Sequence, residues 1–249
     1  MKLDKVIAVR TDKTVYRDGD FAVKVFGDDY SKADILNEAL NQARAEETAL
    51  NVPTLREVAK VEGRWAIVSD YIEGKTLSRL MEENPDRLNA YLERFVDLQL
   101  QVHAQTSPLM TLLRDKMNRK ISQSGLDATT RYELHNRLEG MPKHRKLCHG
   151  DFNPRNIILK PDGSAWILDW SHATQGNASA DAARTYLLFW LENDEKTATD
   201  YLNLYCKKSD TARQYVEKWI PIVAASQIVK GRAQEREFLL RWASVMDYE

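Results

Sequence analysis

His149-Gly150-Asp151-Phe152-Asn153-Pro154-Arg155-Asn156 runs into Ile157-Ile158-Leu159 and, after a turn, reaches Ile167-Leu168-Asp169-Trp170. The first eight residues read as a loop with two polar ligand candidates, Asp151 and Asn156. Ile157 to Lys160 and Ala165 to Leu168 are short apolar runs on either side of Pro161-Asp162-Gly163-Ser164, a strong turn signal, so the stretch continues as a hairpin. If Lys160 and Ala165 close that hairpin, counting outward sets Asn156 opposite Asp169. Residues facing each other across strands hold their Cβ atoms about 4.5–5.5 Å apart. That spacing suits an amide oxygen and a carboxylate sharing one Mg²⁺, whose oxygen ligands sit at about 2.1 Å. Asp151, five residues before Asn156, offers a second carboxylate from the substrate side. Taken alone, Asp169 reads as a helix cap or turn residue. The combination of His-Gly-Asp, the five-residue step to Asn, the apolar hairpin and Asp-Trp is what makes the signal specific.

The rest of the composition narrows the setting. A chain of 249 residues can bury a sizeable core as one compact unit or two lobes. With 43% hydrophobic and 29% charged residues it reads as a soluble globular protein. The net charge is −1 and no Lys/Arg run forms a stripe, so nucleic acid is not an expected partner. No apolar run is long enough to span a bilayer, and Met1-Lys2-Leu3-Asp4-Lys5 does not open a signal peptide. The expectation is a cytoplasmic protein with no membrane partner. Cys148 and Cys206 lack metal-ligand spacing, and Cys148 reads as a packing residue.

Along the chain, Val6 to Val9, Thr14 to Arg17 and Phe21 to Phe26 read as three antiparallel strands, the last two joined through Asp18-Gly19. Alternation points Phe21, Val23 and Val25 one way and Ala22, Lys24 and Phe26 the other. Ser31 opens a helix with Asp34 placed for a capping box and an apolar face of Ile35, Leu36, Ala39, Leu40 and Ala43. That helix carries Glu38, Glu46 and Glu47. Val58 to Val61 and Trp65 to Ser69 form a second hairpin around Glu62-Gly63-Arg64. From Asp70-Tyr71-Ile72-Glu73-Gly74 onward the chain reads as mainly helical, with helices over Leu88 to Gln105, Leu109 to Ser124 and Ala128 to Leu138. Ser171 to Ser179 reads as a polar loop, and Asp181 as the N-cap of a helix from Ala182 to Leu191. Asp194 to Cys206 and Thr211 onward supply closing helices, with Pro221 kinking or dividing the last stretch.

The quoted stretch resembles the catalytic-loop motif of the aminoglycoside phosphotransferase and choline kinase family, relatives of protein kinases. The small-molecule branch typically reads His-Gly-Asp-x-His-x-x-Asn and then Ile-Asp-Trp. Here Asn153 stands where the second His is common, and Leu168 replaces the Ile before Asp-Trp. The resemblance implies an α+β fold, two-lobed and protein-kinase-like, with a small antiparallel-sheet N-lobe carrying one helix and a mainly helical C-lobe. It places the nucleotide-binding lobe at residues 1–72 and the catalytic and acceptor-binding lobe at 73–249. The implied reaction moves the γ-phosphoryl of ATP, or GTP, to a hydroxyl of a small molecule.

The same resemblance implies roles for particular residues. Asp151 is the catalytic base, and Asn156 and Asp169 hold Mg²⁺. Lys24, in Ala-Val-Lys-Val-Phe, holds the nucleotide phosphates. Glu38 is its carboxylate partner, because the family's Glu sits well ahead of a Val-Pro step, here Val52-Pro53. Backbone groups of Asp70 and Ile72 meet the base, unless this segment is a plain strand-to-helix connector. Thr11 and Lys13 stand either at the phosphates or in a simple turn. His103 reads as a packed structural histidine, and Asp181 in such proteins braces the catalytic loop. Trp219, Ile222, Gln227, Arg232 and Glu235 fall where the acceptor site is completed, or simply pack in the core. Glu192, Asp194, Glu195 and Asp200 would attract a cationic acceptor, or form a solvated helix face. Two other functions remain open: a nucleotide-binding module without transferase activity, and a Ser/Thr protein kinase. The first would have lost one of Lys24, Asp151, Asn156 and Asp169. The second would have a glycine-rich loop, and Arg10 to Lys13 holds no Gly.

Overall fold

A computed structural model describes residue 3, residues 5–10 and residues 12–244; the expectation for Thr11 lies outside them. Strands β1 (Lys5–Arg10), β2 (Lys13–Asp18) and β3 (Phe21–Phe26) lead to helix α1 (Lys32–Glu46). Next come β4 (Leu55–Val61), β5 (Arg64–Asp70), the short β6 (Lys75–Thr76), and helices α2 (Leu77–Glu83), α3 (Leu88–His103), α4 (Leu113–Gln123) and α5 (Ala128–Gly140). Strands β7 (Lys146–Cys148), β8 (Ile157–Leu159), β9 (Ala165–Ile167) and β10 (Thr174–Gly176) flank the quoted stretch. Helices α6 (Ala178–Leu191), α7 (Glu195–Ser209), α8 (Arg213–Glu217), α9 (Ile220–Ile228) and α10 (Ala233–Ala243) close the chain. The fold is thus α+β, with the antiparallel sheet in the N-terminal part and helices in the C-terminal part. Packing divides it into two compact units, Met1–Leu88 with Pro154–His172, and Asn89–Asn153 with Ala173–Glu249. The division therefore falls at residue 88 and returns residues 154–172 to the first unit, where the sequence expectation set one boundary at 72.

In the first unit, five strands form an antiparallel sheet in the order β1-β2-β3-β5-β4. Asp18 pairs with Phe21, so the two loop residues of the β2–β3 hairpin are Gly19 and Asp20, with Gly19 at φ +59°. Alternation along β3 buries Val23 and Val25 with Val61, Ala66 and Val68 on one face. Phe26 packs with Ile67 and with Ile35 and Ala39 of α1 on the other. Lys24 shares the face of Phe26, which is the face α1 covers. Ser31 caps α1 by accepting from the Asp34 N–H, and its hydroxyl donates to the Asp34 carboxylate. The buried stripe of α1 is Ile35, Glu38, Ala39, Asn41 and Ala45. Leu36 and Leu40, expected on the apolar face, are 44% and 46% exposed, because one turn of helix cannot bring them round to the stripe centred on Glu38.

The same unit holds a three-stranded sheet in the order β6-β8-β9. Ile157 pairs with Ile167 and Leu159 with Ala165, and the Lys160 N–H donates to Ser164 O at 2.9 Å. The loop is therefore three residues, Pro161-Asp162-Gly163, with Gly163 at φ +83°. This corrects the expected register by one residue. The Leu168 N–H donates to Asn156 O at 2.8 Å, so Asn156 stands opposite Leu168 and not Asp169. Asp169 lies one step beyond, in the left-handed region at φ +61°.

In the second unit, the core gathers around Phe95, Phe152, Tyr201 and Phe189, with Phe95 and Phe152 rings 4.8 Å apart. The segment expected as a polar loop contains β10, which pairs with β7 and is buried. Its Gln175 side chain bonds internally: Nε2 donates to Pro108 O at 2.6 Å and to Met110 O at 2.7 Å. Asn177, not Asp181, caps α6, accepting from the Ser179 N–H, so the helix starts four residues before Ala182. Pro221 sits in the first turn of α9, where a missing N–H costs nothing, and begins that helix instead of kinking it. Helix α9 packs against α4, α6 and α10. Among the described residues no helix is long and apolar enough to cross a membrane.

Candidate active site

The site residues expected from the sequence fall into two sets, one in each unit. The first lies where β3 meets α1. Lys24 Nζ is 2.7 Å from Glu38 Oε1 and 3.3 Å from Asp169 Oδ1. Lys13, at the start of β2, places its Nζ 2.8 Å from the other Glu38 oxygen and over the rings of Phe26 and Tyr30. One carboxylate thus holds two ammonium groups. Glu38 takes this role because it lies in the inner stripe of α1 beside Ile35 and Ala39. Glu46 instead accepts from the Leu55 N–H at 2.7 Å, and Glu47 is exposed.

The charge states follow from these contacts. Burial works against the Lys24 ammonium, yet Asp169 and then Glu38 raise its pKa above the usual lysine range. Burial likewise opposes the Asp169 carboxylate, but Lys24, then Lys13 and His172, hold its pKa well below the usual carboxylate range. Asp169 is therefore an ionised oxygen donor on a strained residue, and α1 ties the following turn by an Asn41 Nδ2 bond to Ser171 O at 3.3 Å. Asn156, 7% exposed just before β8, supplies an amide. A carboxylate and an amide oxygen are hard donors that fit Mg²⁺, which takes its remaining ligands from water and substrate phosphates. Among the described residues no three His, Cys, Asp or Glu side chains cluster as an all-protein metal cage.

Asp70 ends β5, where its carboxylate makes two bonds to the Arg56 guanidinium at 2.7 and 2.9 Å. Its N–H donates to Thr54 O, and the buried Ile72 follows just beyond the strand.

The second set is the loop after β7. Gly150 turns the chain at φ +78°. Asp181 holds the loop by accepting from the His149 N–H at 3.1 Å and the Gly150 N–H at 2.6 Å. Asp181 is in turn fixed by His103 Nε2 at 3.0 Å, and His103 Nδ1 meets the Tyr205 hydroxyl. Thr185, one turn further along α6, donates to Phe152 O at 2.9 Å. On this frame Asn153 Nδ2 donates to the Asp151 carboxylate at 3.3 Å and to Asp151 O at 3.0 Å. Arg184 Nη2 lies 3.7 Å from the other carboxylate oxygen. Asn153, standing where a His is common in the resembling motif, here steadies the Asp151 side chain. Burial raises the Cys148 thiol well above its usual pKa, which leaves it a packing residue and not a nucleophile.

Arg184 was not singled out in the sequence. Its signal is there: an arginine in the apolar run Ala182-Ala183-Arg184-Thr185, three residues after Asp181, shares the face that meets the loop. Lys13 stood open between phosphate contact and turn, and its pairing with Glu38 needs the β2–β3 register, which no local pattern gives.

The family model described as the phosphotransferase enzyme family matches residues 5–217. Compared with curated proteins, the sequence matches none. Among solved structures, aminoglycoside phosphotransferase APH(4)-Ia is similar at 17% identity and a TM-score of 0.71, covering 96% of this chain and 89% of that one. A thermostable mutant of that enzyme, in a ternary complex with AMP-PNP and hygromycin B, is similar at 18% identity and 0.69, with the same coverage. A choline/ethanolamine kinase family protein from Mesorhizobium loti is similar at 16% identity and 0.60, covering 98% of this chain and 84% of that one. At these identities the likeness shows a shared, kinase-like fold. With the family match spanning most of its length, the chain belongs to the phosphotransferase enzyme family.

Proposed function

We propose that this protein transfers the γ-phosphoryl group of ATP, or GTP, to a hydroxyl of a small molecule. The observation that carries the reading is the Lys24–Glu38–Asp169 cluster, in which an ionised carboxylate and a fixed ammonium sit 3.3 Å apart. Phosphoryl transfer asks little covalent chemistry of a protein and much positioning of charge. Lys24, fixed by Glu38, would meet the α and β phosphates, and backbone groups near Asp70 and Ile72 would meet the base. Asn156 and Asp169 would hold Mg²⁺, which when bound neutralises charge on the phosphate oxygens. The lobe assignment, 1–72 for nucleotide and 73–249 for catalysis and acceptor, belongs to the same proposal.

Asp151 would take the proton of the acceptor hydroxyl as that oxygen bonds to the γ-phosphorus. The bond from phosphorus to the β,γ-bridging oxygen then breaks, and the nucleoside diphosphate leaves with the electron pair. Asn153 and Arg184 keep the Asp151 carboxylate aimed. Asp151→Ala is expected to lower turnover on the order of 10²-fold or more, while KM for Mg·ATP holds. Steady-state kinetics on the purified variant checks this; unchanged turnover removes Asp151 from the reaction.

A further inference from the structure

The first unit sets a second lysine beside the Lys24–Glu38 pair. Lys13 opens β2 and pairs with Phe26 across the β2–β3 ladder. Just before it the chain is clasped to the end of β3: the Gly27 N–H donates to Asp12 O at 2.8 Å, and a Cβ on Gly27 would press on that oxygen at 3.2 Å. The Lys13 side chain therefore starts from a fixed point. Its ammonium lies 2.8 Å from Glu38 Oε2, 5.1 Å from the Phe26 ring centroid and 4.8 Å from that of Tyr30. Those two rings meet edge to face, 5.2 Å apart. A carboxylate and two aromatic faces leave the side chain 15% exposed, so this ammonium is seated in the protein and not loose in water.

Glu38 has two oxygens, and each takes one ammonium: Oε1 takes Lys24 at 2.7 Å and Oε2 takes Lys13 at 2.8 Å. A carboxylate shared in this way does not close on Lys24 with both oxygens. Lys24 keeps a second, longer contact to Asp169 Oδ1 at 3.3 Å, so its ammonium is held from one side and still reaches outward on the other. Without Lys13, Glu38 Oε2 would lose its partner on a side chain only 8% exposed, where water is a poor replacement. The ammonium remaining on Glu38 would be that of Lys24, and both oxygens would draw on it. Phosphate oxygens would then compete for Lys24 with a whole carboxylate instead of a shared one.

We propose that Lys13 is a positioning residue for nucleotide phosphates: by occupying Glu38 Oε2 it keeps Glu38 from closing on Lys24, and so leaves Lys24 its charge for the ligand. This rests on the phosphotransferase reading above. Lys13 acts through Glu38 and needs no contact with phosphate itself. Two consequences separate this role from a plain tie between β2 and α1. The base and sugar of a nucleotide are indifferent to Lys13, whereas the phosphates are not. And Lys13 matters only while residue 38 is a carboxylate.

The test is calorimetric titration of the full chain with Mg·ATP, Mg·GTP, adenosine and guanosine. Lys13→Met keeps an unbranched stem against Phe26 and Tyr30 but removes the charge. It is expected to weaken the preferred triphosphate on the order of 10-fold and to leave the matching nucleoside within about 2-fold. Lys13→Arg, which keeps a charged donor for Glu38, is expected to recover most of that loss. Should Lys13→Met fold poorly, Lys13→Gln, whose amide still donates to Glu38 without a charge, takes its place with the same expectation for the triphosphate. In a Glu38→Gln background the cost of Lys13→Met should shrink to about 2-fold or less, the non-additivity of residues that act as one unit. Triphosphate affinity untouched by Lys13→Met, an equal loss on the nucleoside, no recovery with Arg, or a full loss persisting in Glu38→Gln would each overturn the proposal. Wild type that binds neither triphosphate retires the phosphotransferase reading itself; wild type that binds one, with no dependence on Lys13, retires this role alone.

Discussion

Lys24 and Asp169 each shift the other's titration, so stability should depend on pH in a defined way. Asp169 has a folded-state pKa below its ordinary 3.8, so its ionised form stabilises the fold above about pH 4, and that contribution is lost as pH falls through the folded value. Lys24 has a folded-state pKa above its ordinary 10.5, so its contribution is complete below that pH and lost as pH rises through the folded value. The cluster therefore supports a plateau between these limits. Lys24→Met removes the largest group lowering the Asp169 pKa, and urea melts across pH should show the acid limb beginning at higher pH than in the wild type. An acid limb at the same pH would mean that Lys24 does not set the Asp169 charge. At the Asp151 loop, His103→Ala removes the buried partner of Asp181 and leaves that carboxylate short of a bond. The expected cost is about 3 kcal/mol in stability, read from the midpoint of a urea melt.

The β8–β9 hairpin is where register and chemistry meet. Gly74, just before β6, has room for no side chain: a Cβ there would lie 2.5 Å from Leu159 O, on the strand that follows Asn156. Gly74→Ala should force β6 away from β8, cost roughly 1–3 kcal/mol, and weaken Mg·ATP affinity through Asn156. Urea melts and nucleotide titration check both, and wild-type values in the two would show that the close approach is dispensable. This hairpin also shows what the sequence could and could not reveal. Alternation and the Pro-Asp-Gly-Ser turn were enough to place both strands, but the register depended on whether Ser164 closes the hairpin or belongs to the turn. The Lys160–Ser164 bond decides it, and Asn156 moves by one residue. Residues 174–176 were read as loop because Thr174, Gln175 and Gly176 carry no apolar signal; their strand exists through pairing with β7 and the Gln175 bonds to distant carbonyls. Leu36 and Leu40 misled for the opposite reason, since apolar residues flanking a stripe look like the stripe until the sheet beneath is known.

For the whole molecule, the Asp151 and Asn156–Asp169 motifs were legible because chain neighbours supply them, and the α+β fold followed from the resemblance they carried. The partnership of Arg184 with Asp151 was not legible, because only the packing of α6 against the loop brings the two together. The proposed reaction requires a Mg²⁺-dependent nucleotide site in the first unit. Ligand that binds only the folded state stabilises by RT ln(1 + [L]/Kd), about 2.7 kcal/mol at a hundred times Kd. Thermal melting with ATP or GTP at millimolar concentration, with and without Mg²⁺, in wild type and Asp169→Ala, measures that site directly. A rise in Tm that needs Mg²⁺ and vanishes in Asp169→Ala is the expected result. An unchanged Tm with both nucleotides, or a rise that Asp169→Ala leaves intact, would contradict the account.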